Sequence, residues 1–201
     1  MFFQPESARM IFARRKPLLA LALTSAMVMA LSGCTSYQPA PKSFQQATIQ
    51  PYRLDSGDRL RVTVFDQPNL SNTYTVDQAG YISFPLVGQV PARGETLASL
   101  EGALATKLRQ GYLRDPDVTI EVDRYRPVFV MGEVGRPGQY SYVPGMTVQN
   151  AVAVAGGFTA RGNQRDVDVT RKINGRVLTG RTTISSTVLA GDTIYVRERL
   201  F

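Results

Sequence analysis

The chain has 201 residues, with 23 Lys and Arg against 16 Asp and Glu, one cysteine and no histidine. Lacking histidine, it has neither the commonest general base nor the Ser-His and Cys-His nucleophile pairs, and most zinc sites are excluded with them. The formal charge of +7 is spread in runs of no more than three like charges, so it leaves no nucleic-acid footprint.

The amino terminus carries Arg14, Arg15 and Lys16, then Pro17 and an apolar run over residues 18–31. The run has 14 residues, whereas a bilayer-spanning helix needs roughly 20, so a cleaved signal fits better than a permanent span. Small residues Ser32 and Gly33 then lead into Cys34. Leu31-Ser32-Gly33-Cys34 resembles the bacterial lipobox, which implies cleavage before Cys34 and acylation of its thiol and new amino group. A bare thiol there would have no second cysteine to pair with. Two acyl chains already anchor a protein stably. Thr35 rather than Asp after the cysteine favours, by the same resemblance, the outer membrane. Removal of residues 1–33 lowers the net charge to +4 over 168 residues, enough for one domain or two small ones.

Residues 35–51 are rich in Gln and Pro and poor in apolar residues, as expected of a flexible tether after the acylated Cys34. Leu60, Val62 and Val64 alternate with polar residues after the turn Asp55-Ser56-Gly57-Asp58, a half-buried strand. Residues 73–76 and 81–84 flank Asp77-Gln78-Ala79-Gly80 and read as a hairpin. From Thr96 the period changes: Leu97, Leu100, Leu104 and Leu108 form one stripe of a helix capped by Thr96 and stopped near Gly111. Val118, Ile120 and Val122 alternate again, so the first unit reads β-β-β-α-β.

Arg124-Tyr125-Arg126-Pro127 is a joint, because Pro disfavours helix at the preceding residue. Residues 128–130 and 139–143 read as strands around a glycine-spaced turn. Thr147 caps a helix with Val148, Ala151, Val152 and Ala155 inward, ended by Gly156-Gly157. Val167 and Val169 mark a strand, Asn174-Gly175 is a type I′ hairpin signal, and residues 193–196 close the second unit as β-β-α-β-β-β. The halves echo each other weakly: Gly57-Asp58 and Gly191-Asp192 each precede an alternating strand.

No catalytic set emerges. The lysines after the signal are Lys42, Lys107 and Lys172, none in a Ser-x-x-Lys arrangement. Asp55, Asp58, Asp77, Asp115 and Asp192 sit beside Gly or Pro in predicted turns, where Asp bonds local backbone. Gly132, Gly135 and Gly138 have the wrong spacing for a phosphate loop, and a strand rather than a helix follows. No catalytic, cofactor-binding or metal-ligating residue is therefore expected.

The ordered series Tyr52-Arg53-Leu54-Asp55-Ser56-Gly57-Asp58, Val76-Asp77-x-x-Gly80-Tyr81-Ile82-Ser83-Phe84-Pro85-Leu86-Val87-Gly88, Gly94-x-Thr96 and Tyr112-Leu113-x-x-Pro116-x-Val118 resembles the export domain of outer-membrane polysaccharide export (OPX) lipoproteins. Val130-Met131-Gly132-Glu133-Val134-x-x-Pro137-Gly138-x-Tyr140, Ala155-Gly156-Gly157 and Gly191-Asp192-x-Ile194-Tyr195-Val196 are similar to a soluble-ligand-binding β-grasp (SLBB) domain. The resemblance implies an α+β fold of two small mixed modules. The expected organisation is a signal peptide at 1–33, an acylated Cys34 and tether at 34–51, a polysaccharide export domain at 52–125 and an SLBB β-grasp domain at 126–201.

It further implies a non-enzymatic, lipid-anchored export component for capsular or exopolysaccharide, facing the periplasm from the outer membrane. Implied partners are further copies in a homo-oligomeric ring, an inner-membrane polysaccharide co-polymerase and the polysaccharide itself. The last residues, Arg197-Glu198-Arg199-Leu200-Phe201, are too few to span a bilayer, which leads to the expectation of a separate outer-membrane channel. Arg124, Arg126, Arg161 and Arg165 lie near the joint or the loop after the second helix and can meet an anionic glycan or a neighbouring subunit, ordinary solvated arginines being the competing explanation. A glycan-binding or scaffolding lipoprotein that forms no passage is the alternative function, and a glycan-cleaving enzyme the remoter one.

Overall fold

The computed structural model describes residues 38–199, so the expected signal at 1–33 and the lipidation at Cys34 lie outside the described residues. The fold holds two hydrophobic cores. The first domain is built from β1 (Arg59–Val64), β2 (Asn72–Thr75), β3 (Tyr81–Phe84), β4 (Gly88–Pro91), α2 (Leu97–Arg109) and β5 (Val118–Arg124). Its β2-β1-β5 sheet is antiparallel, with Leu60 opposite Tyr74 and Val62 opposite Ile120, and β3 pairs with β4 alone. Inward residues of β1 and β3 meet Leu100, Leu104 and Leu108 of α2, all fully buried. Each such leucine contributes about 1.5–3 kcal/mol. The Thr96 hydroxyl accepts from the Ser99 amide at 3.2 Å, starting the helix where the sequence places its cap.

The second domain comprises β6 (Val128–Gly132), β7 (Gly138–Tyr140), α3 (Val148–Val154), β8 (Asp166–Ile173), β9 (Arg176–Thr183) and β10 (Thr193–Val196). Its five strands run β7-β6-β10-β8-β9, parallel between β6 and β10 and antiparallel elsewhere. Val148, Ala151 and Val152 of α3 close over Val128, Val130, Val167, Val169 and Ile194.

Two expectations change. Residues 73–76 and 81–84 do not form a hairpin with each other: β2 pairs with β1, and β3 with β4. The turn between them exists, since Asp77 Oδ1 accepts from the Gly80 and Tyr81 amides at 2.7 and 2.8 Å, but it carries the chain from one sheet into the other. β4 escapes notice because Val90 is its one buried residue.

The expected tether instead contains a helix, α1 (Lys42–Ile49). Eight residues are too few to be helical alone in water, so packing holds it. Phe44, 5% exposed, enters the second domain's core, and its carbonyl accepts from Arg171 Nη1 at 2.8 Å. Ahead of the helix, the Ala40 amide donates to the Arg181 carbonyl at 2.8 Å and the Arg181 amide to the Gln38 carbonyl at 2.9 Å. The glycine at 180 permits this approach, since a Cβ there would lie 2.5 Å from Ala40 Cα. The segment before the first domain is thus sewn to the second.

Candidate functional site

Three residues, 125–127, separate β5 from β6, and the side chains around them decide how the domains meet. Asp58 closes the first domain's Gly57-Asp58 turn and is fully buried. Its carboxylate accepts from the Asp55 amide at 2.9 Å, the Tyr52 hydroxyl at 2.7 Å, the Arg126 amide at 2.9 Å and Arg126 Nη1 at 3.0 Å. A buried carboxylate is tolerated only with this kind of satisfaction. Burial pushes the Tyr52 hydroxyl well above the usual tyrosine range, and the nearby Asp58 charge and its hydrogen bond act the same way against the opposing Arg126 charge.

Arg126 faces the second domain as well. Its Nε donates to the Ala190 carbonyl at 3.0 Å, and it packs against Gly191, where a Cβ would come within 2.7 Å of Nε. Arg126 Cβ also lies against Gly57, so the two echoing Gly-Asp turns converge on one side chain. The second turn's Asp192 binds Arg171 instead, buried with it, through Nε at 3.0 Å and Nη2 at 2.6 Å, and accepts from the Leu189 amide at 2.7 Å.

Beside this joint lies a cleft of about 640 Å³ between the domains and the end of α1. Three tyrosines cross it: Tyr52 meets Tyr125 edge-on at 4.9 Å, and Tyr125 meets Tyr142 at 5.5 Å and 77°. Such pairs contribute about 0.5–1.5 kcal/mol each beyond area burial. At the rim, Asp55 of the first domain accepts from Arg93 Nε at 2.9 Å and from Lys172 Nζ of the second at 3.3 Å. Partial burial raises the Asp55 pKa, but the Ser56 amide and the Lys172 ammonium outweigh it and hold the carboxyl below its ordinary value. Arg53 donates to the Gly94 carbonyl at 2.7 Å and has no carboxylate partner among the described residues.

Residues 46–123 match the model of the polysaccharide biosynthesis/export protein family, and residues 127–182 match the SLBB domain, the two together covering more than half the chain. The chain carries a polysaccharide biosynthesis/export domain followed by an SLBB domain. It is similar to the exopolysaccharide production protein ExoF of Rhizobium meliloti, 37% identical over 129 residues, which is 58% of this chain and 31% of the relative. It is similar also to the EPS I polysaccharide export outer membrane protein EpsA of Ralstonia solanacearum, 31% identical over 153 residues, 62% of this chain and 40% of the relative. The polysialic acid transport protein KpsD of Escherichia coli is 29% identical over 159 residues, 74% of this chain and 28% of the relative. The chain spans about a third of the length of these relatives. The α+β architecture, an export domain followed by an SLBB domain, is as the sequence leads one to expect.

The four arginines singled out from the sequence do not converge. Arg126 lines the cleft and clamps the export domain to the SLBB domain. Arg124 is exposed at the end of β5, in register with Arg59, and Arg161 is engaged by Glu198 at 2.5 Å. Arg165 is exposed in the loop before β8, its amide donating to Asn163 Oδ1 at 2.8 Å. Sequence reasoning missed Arg53, Lys172 and the tyrosine row. Tyr125, next to Arg126 in the joint, is the one local signal that pointed there.

Proposed function

We propose that this chain is a lipid-anchored component of capsular or exopolysaccharide export across the outer membrane, acting on the periplasmic side as part of a homo-oligomeric conduit. The observation that carries this reading is the clamping of an export domain to an SLBB domain by Arg126, in a chain similar to proteins whose names are those of polysaccharide export and transport. The anchor is Cys34, the cargo is the polysaccharide, and an inner-membrane co-polymerase delivers it. The chain's role is passage without bond cleavage, and it needs no cofactor.

Deletion of the gene tests the reading. Secreted polymer is expected to fall, wild-type chain to restore it, and Cys34→Ser to mislocalise the protein and restore it poorly. Undiminished secretion in the deletion strain would sink the proposal. The cleft favours a second reading, a glycan-binding lipoprotein without a passage. The native mass of the detergent-solubilised chain separates the two, because a strict monomer cannot enclose a conduit.

A further inference from the structure

We propose that the cleft between the export and SLBB domains binds a short stretch of acidic, carboxylated polysaccharide, with the tyrosine row taking sugar rings and Arg53 taking a carboxylate. The inference deepens the export reading by naming the cargo's chemical class, and it rests on that reading for the ligand being a polysaccharide.

Size comes first. About 640 Å³ lies within the range of small-ligand sites, roughly 300–1,000 Å³. The lining matters more. Pyranose rings present apolar C–H faces edged by hydroxyls, and they pack on aromatic rings with polar groups alongside. Tyr52, Tyr125 and Tyr142 supply such rings in a connected row that spans both domains and the joint between them.

Charge selects the class. Arg53, Arg93, Arg126 and Lys172 line the cleft. Arg126 is held by buried Asp58, while Arg93 and Lys172 share Asp55. Arg53 is exposed, bonded to a single carbonyl, and its guanidinium fork is suited to bidentate capture of a carboxylate. The cleft therefore offers an unneutralised guanidinium beside an aromatic floor. Being open to solvent, that contact is weak and salt-sensitive, which suits a polymer that must bind and move on.

Isothermal titration of the full chain in detergent, at low and high salt, tests the assignment with trigalacturonate and neutral maltotriose as probes. Trigalacturonate is expected to bind at least ten-fold more tightly than maltotriose at low salt. Arg53→Gln is expected to weaken trigalacturonate about three- to five-fold at low salt while leaving maltotriose unchanged. Arg114→Gln, an exposed arginine outside the cleft, is expected to leave both unchanged. Equal affinity for the two probes, no loss in Arg53→Gln, or the same loss in Arg114→Gln would each overturn it.

Secretion is scored separately in the complemented deletion strain. A chain that restores secretion yet fails to bind trigalacturonate overturns the cleft assignment and leaves the export reading intact. Specific binding by a chain whose deletion does not affect secretion supports the cleft and overturns the export reading.

Discussion

Arg126 Nη1 lies 3.0 Å from the carboxylate of Asp58, a residue of the other domain that is wholly buried. Truncating the arginine leaves that carboxylate short of its charged partner, and a buried pair broken on one side costs about 3–5 kcal/mol. Arg126→Ala is expected to destabilise the chain by about 3 kcal/mol, the lower end, because Tyr52 and two backbone amides still donate to Asp58. Urea unfolding followed by circular dichroism measures this, and a loss under 1 kcal/mol would show that the clamp contributes little.

Gly191 has φ +86°, and a Cβ would press on Arg126 Nε at 2.7 Å. Gly191→Ala is expected to cost about 2 kcal/mol, part from backbone strain and part from the clash. In an Arg126→Ala background only the strain remains. The two losses should therefore fall short of additivity by at least about 0.5 kcal/mol, and strict additivity in a double-mutant cycle would refute the contact.

Phe44 is the plug by which α1 holds the SLBB domain. Phe44→Ala is expected to cost about 3 kcal/mol and to release the segment around the helix. Limited proteolysis reads the release directly: new cuts within residues 38–50 at protease levels that leave the wild type whole. A stable variant with an unchanged digestion pattern would mean that the helix is held by other contacts.

Asp55 links acidity to the domain contact. Its folded pKa lies below the ordinary value of 3.8, so its contribution is fully present above that value and is lost as pH falls through the depressed folded one. Melting temperature is expected to fall below about pH 4 more steeply in the wild type than in Asp55→Asn. Identical acid limbs would exclude a role for this carboxylate.

The α2 stripe was legible because Leu97, Leu100, Leu104 and Leu108 recur at the helical period and all four pack on the first domain's core. The phase of β8 was half legible. Val167 and Val169 mark its inward side, and Arg171 continues the same alternation, yet a charge in that phase is recognisable as core only once Asp192 is seen opposite it. β2 and β3 misled because a tight Asp-Gly turn looks alike whether it joins neighbours in one sheet or passes the chain between sheets. The cleft was the least legible. Tyr52, Tyr125 and Tyr142 lie far apart along the chain, and each alone is an ordinary half-buried tyrosine. The Gly57-Asp58 and Gly191-Asp192 echo did carry information, since both turns rest on Arg126.

The stitching of residues 38–44 to β9 and to the SLBB core makes the export domain an insertion within the chain's path through the SLBB domain. Tension applied at Gln38 runs through the Arg181 backbone pairing and the Phe44 plug into the five-stranded sheet. The export domain sits outside that load path. It carries none of that tension, and among the described residues the Arg126 clamp is its one contact with the SLBB domain that buries a charge.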